Sequence, residues 1–310
     1  MSRYAILFPG QGSQRVGMGA DVFAAYPDLL GVAADRIVGW PVEALVAEGP
    51  IEELTRTEHA QPALYGVSYA LWTALAEALP AAPAAAAGHS LGEYTALAAA
   101  SVFSYEDGLR LVAERGRAMS DAAASGEPSG MAALIGADLE QAETVAENRR
   151  RDGGKLWVAN INAPAQIVLA GSEADIAWVC DHARELGIRR AVPLAVAGAF
   201  HSPYMAAAAD RLGAALEATR FSPSSFPVYA NTTARPVDDP ATQLVEQLVR
   251  PVRFAETLRQ MFDDGITTFV HVGPGDVTAG LVRRTVPEAA VRVVSELGDI
   301  SVVADDAFIQ

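Results

Sequence analysis

Gly88, Ser90 and Gly92 spell G-x-S-x-G inside the stretch "AAGHSLGEYTALAAA". A run of small residues precedes the serine, and a helix-forming run follows it. Between a strand and a helix this spacing makes a nucleophile elbow. The sharp turn lifts the serine hydroxyl off the strand end, and the flanking glycines leave room for strand and helix to pack. The helix starting just after Ser90 aims its N-terminal amides at the hydroxyl, where negative charge develops in acyl transfer. The Leu91 amide is the natural oxyanion donor.

A serine hydroxyl needs a base, and the chain has five histidines. His59 reads as the lead-in to a helix. His89 adjoins the serine, but neighbouring side chains diverge at such a turn. His182 falls on a helix and His271 in a strand. His201, in "GAFHSPYM", follows a change of domain and precedes a helix. Loops at domain junctions form cleft walls, which makes His201 the candidate base.

A second glycine-rich loop, "FPGQGSQRVG", follows the apolar run "YAILF". It starts like a dinucleotide fingerprint, but the third glycine is replaced by Arg15, so a pyrophosphate is not its expected ligand.

The elements that must carry these residues follow from periodicity. "YAILF" reads as a buried strand and "AAAAGHS" as a small-residue strand. Helical patterns cover "MGADVFAAYPDLLGVAADRIV", broken near Pro27, "QPALYGVSYALWTALAEAL", with a proline near its start, "GEYTALAAASVF" and "YEDGLRLVAERGRAMSDAAA". This alternation predicts an α/β fold with an open parallel sheet covered on both faces. After the linker-like "SGEPSG" the order becomes β-α-β-β-α-β, the ferredoxin-like order. A small domain is therefore expected at 128–196, inserted into a larger one made of 1–127 and 197–310. The larger domain resumes with a helix, the strand "PVYAN", one helix through "PATQLVEQLVRPVRFAETLRQMFDDG", the strand "TTFVHV" and a last helix after a G-P-G turn.

Composition narrows the function. Net charge is −15, which argues against general affinity for nucleic acid or an anionic membrane. No apolar run reaches membrane-spanning length, and the first residues lack a signal-peptide pattern. Cys180, the only cysteine, cannot form an internal disulfide; a cytoplasmic location is expected.

"FPGQGSQ", "GHSLGEY", "ERGRAM", "GAFHSPYM" and "GPGDVTAGL" occur in this order along nearly the whole chain. In this combination the sequence resembles the malonyl-CoA:acyl-carrier-protein transacylases and the acyltransferase domains of polyketide and fatty acid synthases. The resemblance implies an α/β-hydrolase-like large domain with a ferredoxin-like insert. It implies that Ser90 accepts the acyl group as an ester, with His201 as base and then acid. Gln247 is the candidate whose backbone carbonyl orients His201, and Gln11 joins Leu91 in the oxyanion hole. Arg115 matches the arginine that grips a malonyl carboxylate, while Phe200 and Met119 shape the acyl pocket. Asn160, Asn162 and Gln166 fall where relatives meet the pantetheine arm. The implied partners are malonyl-CoA and an acyl carrier protein, with no metal or redox cofactor. Three alternatives stay open: a serine thioesterase or hydrolase, a non-catalytic binder of carrier protein, and a specialised polyketide-pathway acyltransferase with another acyl unit or an acyl-carrier donor.

Overall fold

The computed structural model describes residues 3–305. Its strands are, in chain order, β1 (Arg3–Phe8), β2 (Ala85–Gly88), β3 (Ser129–Ile135), β4 (Leu156–Ala163), β5 (Gln166–Ser172), β6 (Arg190–Pro193), β7 (Val228–Tyr229), β8 (Ile266–Val272) and β9 (Ala290–Val294). They form two sheets. The larger has the order β7-β2-β1-β8-β9 and is parallel throughout.

β1 is the central strand, and Ala5 to Phe8 are fully buried. A strand covered on both faces must be apolar along its length, which is why "YAILF" does not alternate. β2 is alanine until Gly88, so its neighbours approach closely. In the register, Phe8 lies opposite Gly88. The carboxyl ends of β1 and β2 therefore finish side by side, where ligand sites form in open parallel sheets. The His89 N–H donates to the Phe8 carbonyl at 3.0 Å and ties the elbow to the start of the glycine-rich loop.

The smaller sheet is antiparallel, with the order β4-β5-β3-β6. This is the strand order that a β-α-β-β-α-β unit gives in the ferredoxin-like arrangement. Helices Leu139–Arg151 and Glu173–Asp181 supply Ala142, Val145, Ile176 and Val179 to a core with Leu134, Leu156 and Leu169. The edge strand β4 of the smaller sheet is bonded to the segment around Val252, which lies outside both sheets. The Ile161 N–H donates to the Val252 carbonyl at 2.8 Å, and the Val252 N–H to the Ala159 carbonyl at 2.9 Å.

Several elements differ from the sequence reading. The helix expected near Pro62 runs from Thr57 to Ala78 and holds that proline inside. Pro62 removes only the bond to the carbonyl four residues back, near the helix start. The helix expected through residues 240–265 is two, Pro240–Val249 and Phe254–Asp263. Pro251 lacks an N–H and pushes Arg250 into the extended region, with φ −120° and ψ 157°. Residues 20–38 form three short helices, broken at Gly31 as well as near Pro27. β6 ends at Pro193, short of the end of the expected small domain at 196. Beyond the expected last helix, Val277–Thr285, the chain adds β9 at the sheet edge and the helix Asp299–Ala304.

Candidate active site

The elbow forms as its glycines require. A Cβ on Gly88 would overlap the Gly92 backbone, and one on Gly92 would lie against the Phe8 and Pro9 carbonyl oxygens. Ser90 sits at φ 50° and His201 at φ 57°. Both are left-handed conformations, disfavoured for residues with a Cβ, and such strain clusters where side chains must be aimed.

That aim is visible in the distances. Ser90 Oγ lies 2.8 Å from His201 Nε2. On the other side of the ring, His201 Nδ1 lies 2.7 Å from the backbone carbonyl of Gln247. A carbonyl only accepts, so the proton sits on Nδ1 and the Nε2 lone pair faces the serine. Burial first, and then the Arg115 charge, push His201 down to about 3. The ring is therefore neutral at neutral pH, with the Nε2 lone pair free to accept a proton.

Arg115 is 1% exposed, on the apolar stripe of the helix Tyr105–Ser125, beside Leu111, Val112, Ala118 and Met119. Its Nη1 donates to Gln61 Oε1 at 2.7 Å. Its Nη2 donates to Ser90 Oγ and to Gln247 Oε1, each at 3.0 Å. Nε has no partner, and the guanidinium lies 5.4 Å from the Tyr94 ring centre. Among the described residues no carboxylate forms an ion pair with it.

Ser90, His201 and Arg115 open onto a cavity of about 240 Å³ at the junction of the two sheets. Gln11, Leu91, Met119, Phe200, Asn160, Asn162 and Gln166 line it as well. Among the described residues the Gln11 and Leu91 backbone N–H groups donate to no other protein group. The Gln11 side chain turns to Thr57 Oγ1 at 3.3 Å. Asn162 Oδ1 is held by His89 Nε2 at 2.7 Å, and Gln166 Oε1 by Arg284 Nη1. Gln247 does not line the cavity. It is fully buried, bonded to Arg115 and His201.

The sequence reading singled out neither Gln61, Glu93 nor Asn231. Asn231 Oδ1 accepts the Ser90 N–H at 2.7 Å, and its Nδ2 donates to the Gly88 carbonyl at 2.7 Å, so one amide braces both sides of the turn. Glu93, 1% exposed, accepts from Gln247 Nε2 at 2.6 Å and the Asn231 N–H at 3.1 Å. The available signals were weak: an Asn just past the short β7, and isolated polar residues in the apolar runs "HAQPAL" and "GEYTAL". Among the described residues no cluster of His, Cys, Asp and Glu suits a metal, and no helix is long and apolar enough to cross a membrane.

The model of the acyl transferase domain family matches residues 6–303. The chain is 40% identical to the malonyl CoA-acyl carrier protein transacylase of Bacillus subtilis, over 92% of this chain and 90% of that protein. In structure it resembles the malonyl-CoA:acyl carrier protein transacylase of Xanthomonas oryzae pv. oryzae, with TM-score 0.92, 37% identity and 98% of each chain covered. It is equally similar to a malonyl-transacylase solved in complex with a type II polyketide acyl carrier protein. That match has TM-score 0.92 and 35% identity, over 98% of this chain and 99% of the other.

Proposed function

This chain belongs to the acyl transferase domain family, and from that premise we propose that it is a malonyl-CoA:acyl-carrier-protein transacylase working through an ester on Ser90. The observation that carries the reading is Arg115: a buried cation without an ion pair, 3.0 Å from the nucleophile. A guanidinium binds a carboxylate through a planar fork and stays charged when buried. Next to a serine it selects acyl groups that end in a carboxylate.

The steps follow from the geometry. His201 Nε2 takes the Ser90 proton as Oγ attacks the thioester carbonyl. The oxyanion receives the Gln11 and Leu91 N–H groups, each such donor being worth about 10²–10³ in rate. Collapse breaks the C–S bond, and His201 passes its proton to the departing CoA thiol. The phosphopantetheine thiol of the carrier protein then gives its proton to His201 and attacks the ester, and Ser90 leaves reprotonated. No redox or metal cofactor enters these steps. Asn160, Asn162 and Gln166 line the cavity and in this reading meet the pantetheine arm, while Phe200 and Met119, also on its wall, limit the acyl group. In this reading residues 1–127 and 197–310 form the catalytic domain and 128–196 the inserted one.

The test mixes the protein with labelled malonyl-CoA and a holo carrier protein. Label is expected on the carrier, after a malonyl mass gain on Ser90. Label on free malonate would make the protein a hydrolase and sink the reading.

A further inference from the structure

Every hydrogen-bonded partner of the Arg115 side chain is neutral: Gln61, Ser90 and Gln247. A buried guanidinium with no counter-charge is unfavourable. The nearest compensation lies one residue further away. Glu93, in the first turn of the helix Gly92–Ala99, is buried outside the cavity wall and receives Gln247 Nε2 at 2.6 Å. Gln247 is thus held end to end, with Nε2 toward Glu93 and Oε1 toward Arg115 Nη2.

An amide turned end for end keeps its shape, so only its partners decide which end faces where. A carboxylate accepts and does not donate. Together with the Ser90 carbonyl, which accepts from Nε2 at 3.0 Å, it draws Nε2 to itself and leaves Oε1 for Arg115. The reversed amide would aim N–H groups at a cation.

We propose that Glu93 is a positioning residue for acyl selection, which fixes the Gln247 amide and supplies the counter-charge of Arg115 at one remove. A carboxylate placed directly on Arg115 would occupy the position the acyl carboxylate needs. Relayed through a neutral amide, the same charge steadies the guanidinium and leaves it without a carboxylate of its own. Glu93 lies between Ser90 and His201 in chain order, where serine hydrolases of this elbow type carry their acid. Here the acid serves the arginine, and a backbone carbonyl serves the histidine. Burial pushes the Glu93 carboxyl up to about 7, against the pull of the Gln247 and Asn231 donors and of Arg115.

The proposal rests on Arg115 as the site of the acyl carboxylate, and the experiment separates the two. Single-turnover acylation of the whole protein is measured at pH 8 with malonyl-CoA and with acetyl-CoA. The readout is the ratio of the two rates, which does not depend on the fraction of protein that is folded. Arg115→Ala should collapse the ratio, Glu93→Gln should lower it about 10-fold, and Glu93→Asp, which keeps the charge, should retain more of it. On a Gln247→Ala background, Glu93→Gln should lower it no further. If Arg115→Ala leaves the ratio intact, the carboxylate reading falls and takes this proposal with it. If Arg115→Ala collapses the ratio but Glu93→Gln slows both substrates equally or neither, Glu93 is merely structural and the proposal alone falls. A further loss in the double variant, or a lower ratio for Asp than for Gln, overturns it as well.

Discussion

His201 Nδ1 is hydrogen-bonded at 2.7 Å to the main-chain carbonyl of Gln247, not to a carboxylate. A carbonyl fixes the tautomer as an Asp would, but it brings no negative charge to stabilise an imidazolium. Buried beside Arg115, His201 holds a proton weakly.

That environment sets a pH profile. A free imidazole changes charge near 6.5, whereas His201 is pushed down to about 3. Acylation by acetyl-CoA, which leaves the carboxylate site unused, should change by less than about 2-fold between pH 8 and 5.5. An inflection near 6.5 in the single-turnover rate would mean that the ring is solvated. Stability carries the same signs. His201 and His271, the latter pushed to about 4 by burial, hold protons more weakly when folded, so their contribution is lost as pH falls below about 6.5. Glu93, raised to about 7, contributes stability that is lost as pH rises from 4.5 through that value. In urea unfolding, the advantage of wild type over Glu93→Gln should therefore grow as pH falls from 8 to 5.

Asn231 makes a sharper structural prediction. Asn231→Ala leaves the Ser90 N–H and the Gly88 carbonyl without their side-chain partner. Leaving buried groups unpaired costs about 1–3 kcal/mol. The melting temperature should drop, and Ser90 acylation should slow by about 10-fold as the turn loosens. Unchanged acylation would show that the elbow holds itself.

Phe200 is buried on the cavity wall, and in the proposed function it narrows the acyl pocket. A methyl branch is worth about 1–3 kcal/mol in an apolar pocket. Phe200→Ser should raise the rate with methylmalonyl-CoA relative to malonyl-CoA by about 10-fold. Competition between the two thioesters, read as the masses on Ser90, checks it; a constant ratio removes Phe200 from the specificity wall.

Gly92→Ala should be far more damaging than Gly280→Ala. The first would place a Cβ 2.8 Å from the Pro9 carbonyl oxygen and closer still to that of Phe8, forcing β1 away from the elbow; the second meets nothing within 4 Å. Overpacking of this kind costs about 1–3 kcal/mol. Thermal unfolding and Ser90 acylation should both fall for Gly92→Ala alone.

The strand-turn-helix around Ser90 and the two-sheet order were legible because they rest on local signals: small residues, glycine spacing and periodicity. The placement of Arg115 was half legible. It falls on the apolar stripe with Leu111, Val112, Ala118 and Met119, whereas Arg110 on the same helix is exposed. On sequence alone Arg115 reads as one more surface helix arginine, like Arg110 and Arg117; the resemblance carried by "ERGRAM" singled it out. Gln61 and Asn231 were not legible. They act through bonds to residues 54 and 141 positions away, Arg115 and Ser90, and nothing local announces such pairings. Pro251 was on the page as a helix breaker, yet the long helix was read through it. The edge strand β9 was missed because the motifs had already ended at the G-P-G turn.

The two contacts of Arg115 Nη2, with Ser90 Oγ and Gln247 Oε1, amount to an interlock. Both hydrogens of that nitrogen are engaged, so a carboxylate that takes the guanidinium fork through it displaces either Gln247, whose amide is held by Glu93 and the Ser90 carbonyl, or the more weakly held serine. With the serine displaced, the nucleophile is left to His201 alone, with the cation beside the imidazole neutralised and the ring a stronger base. In the proposed function, arrival of a carboxylate-bearing acyl chain frees the serine, while acetyl-CoA, which brings no carboxylate, finds it latched.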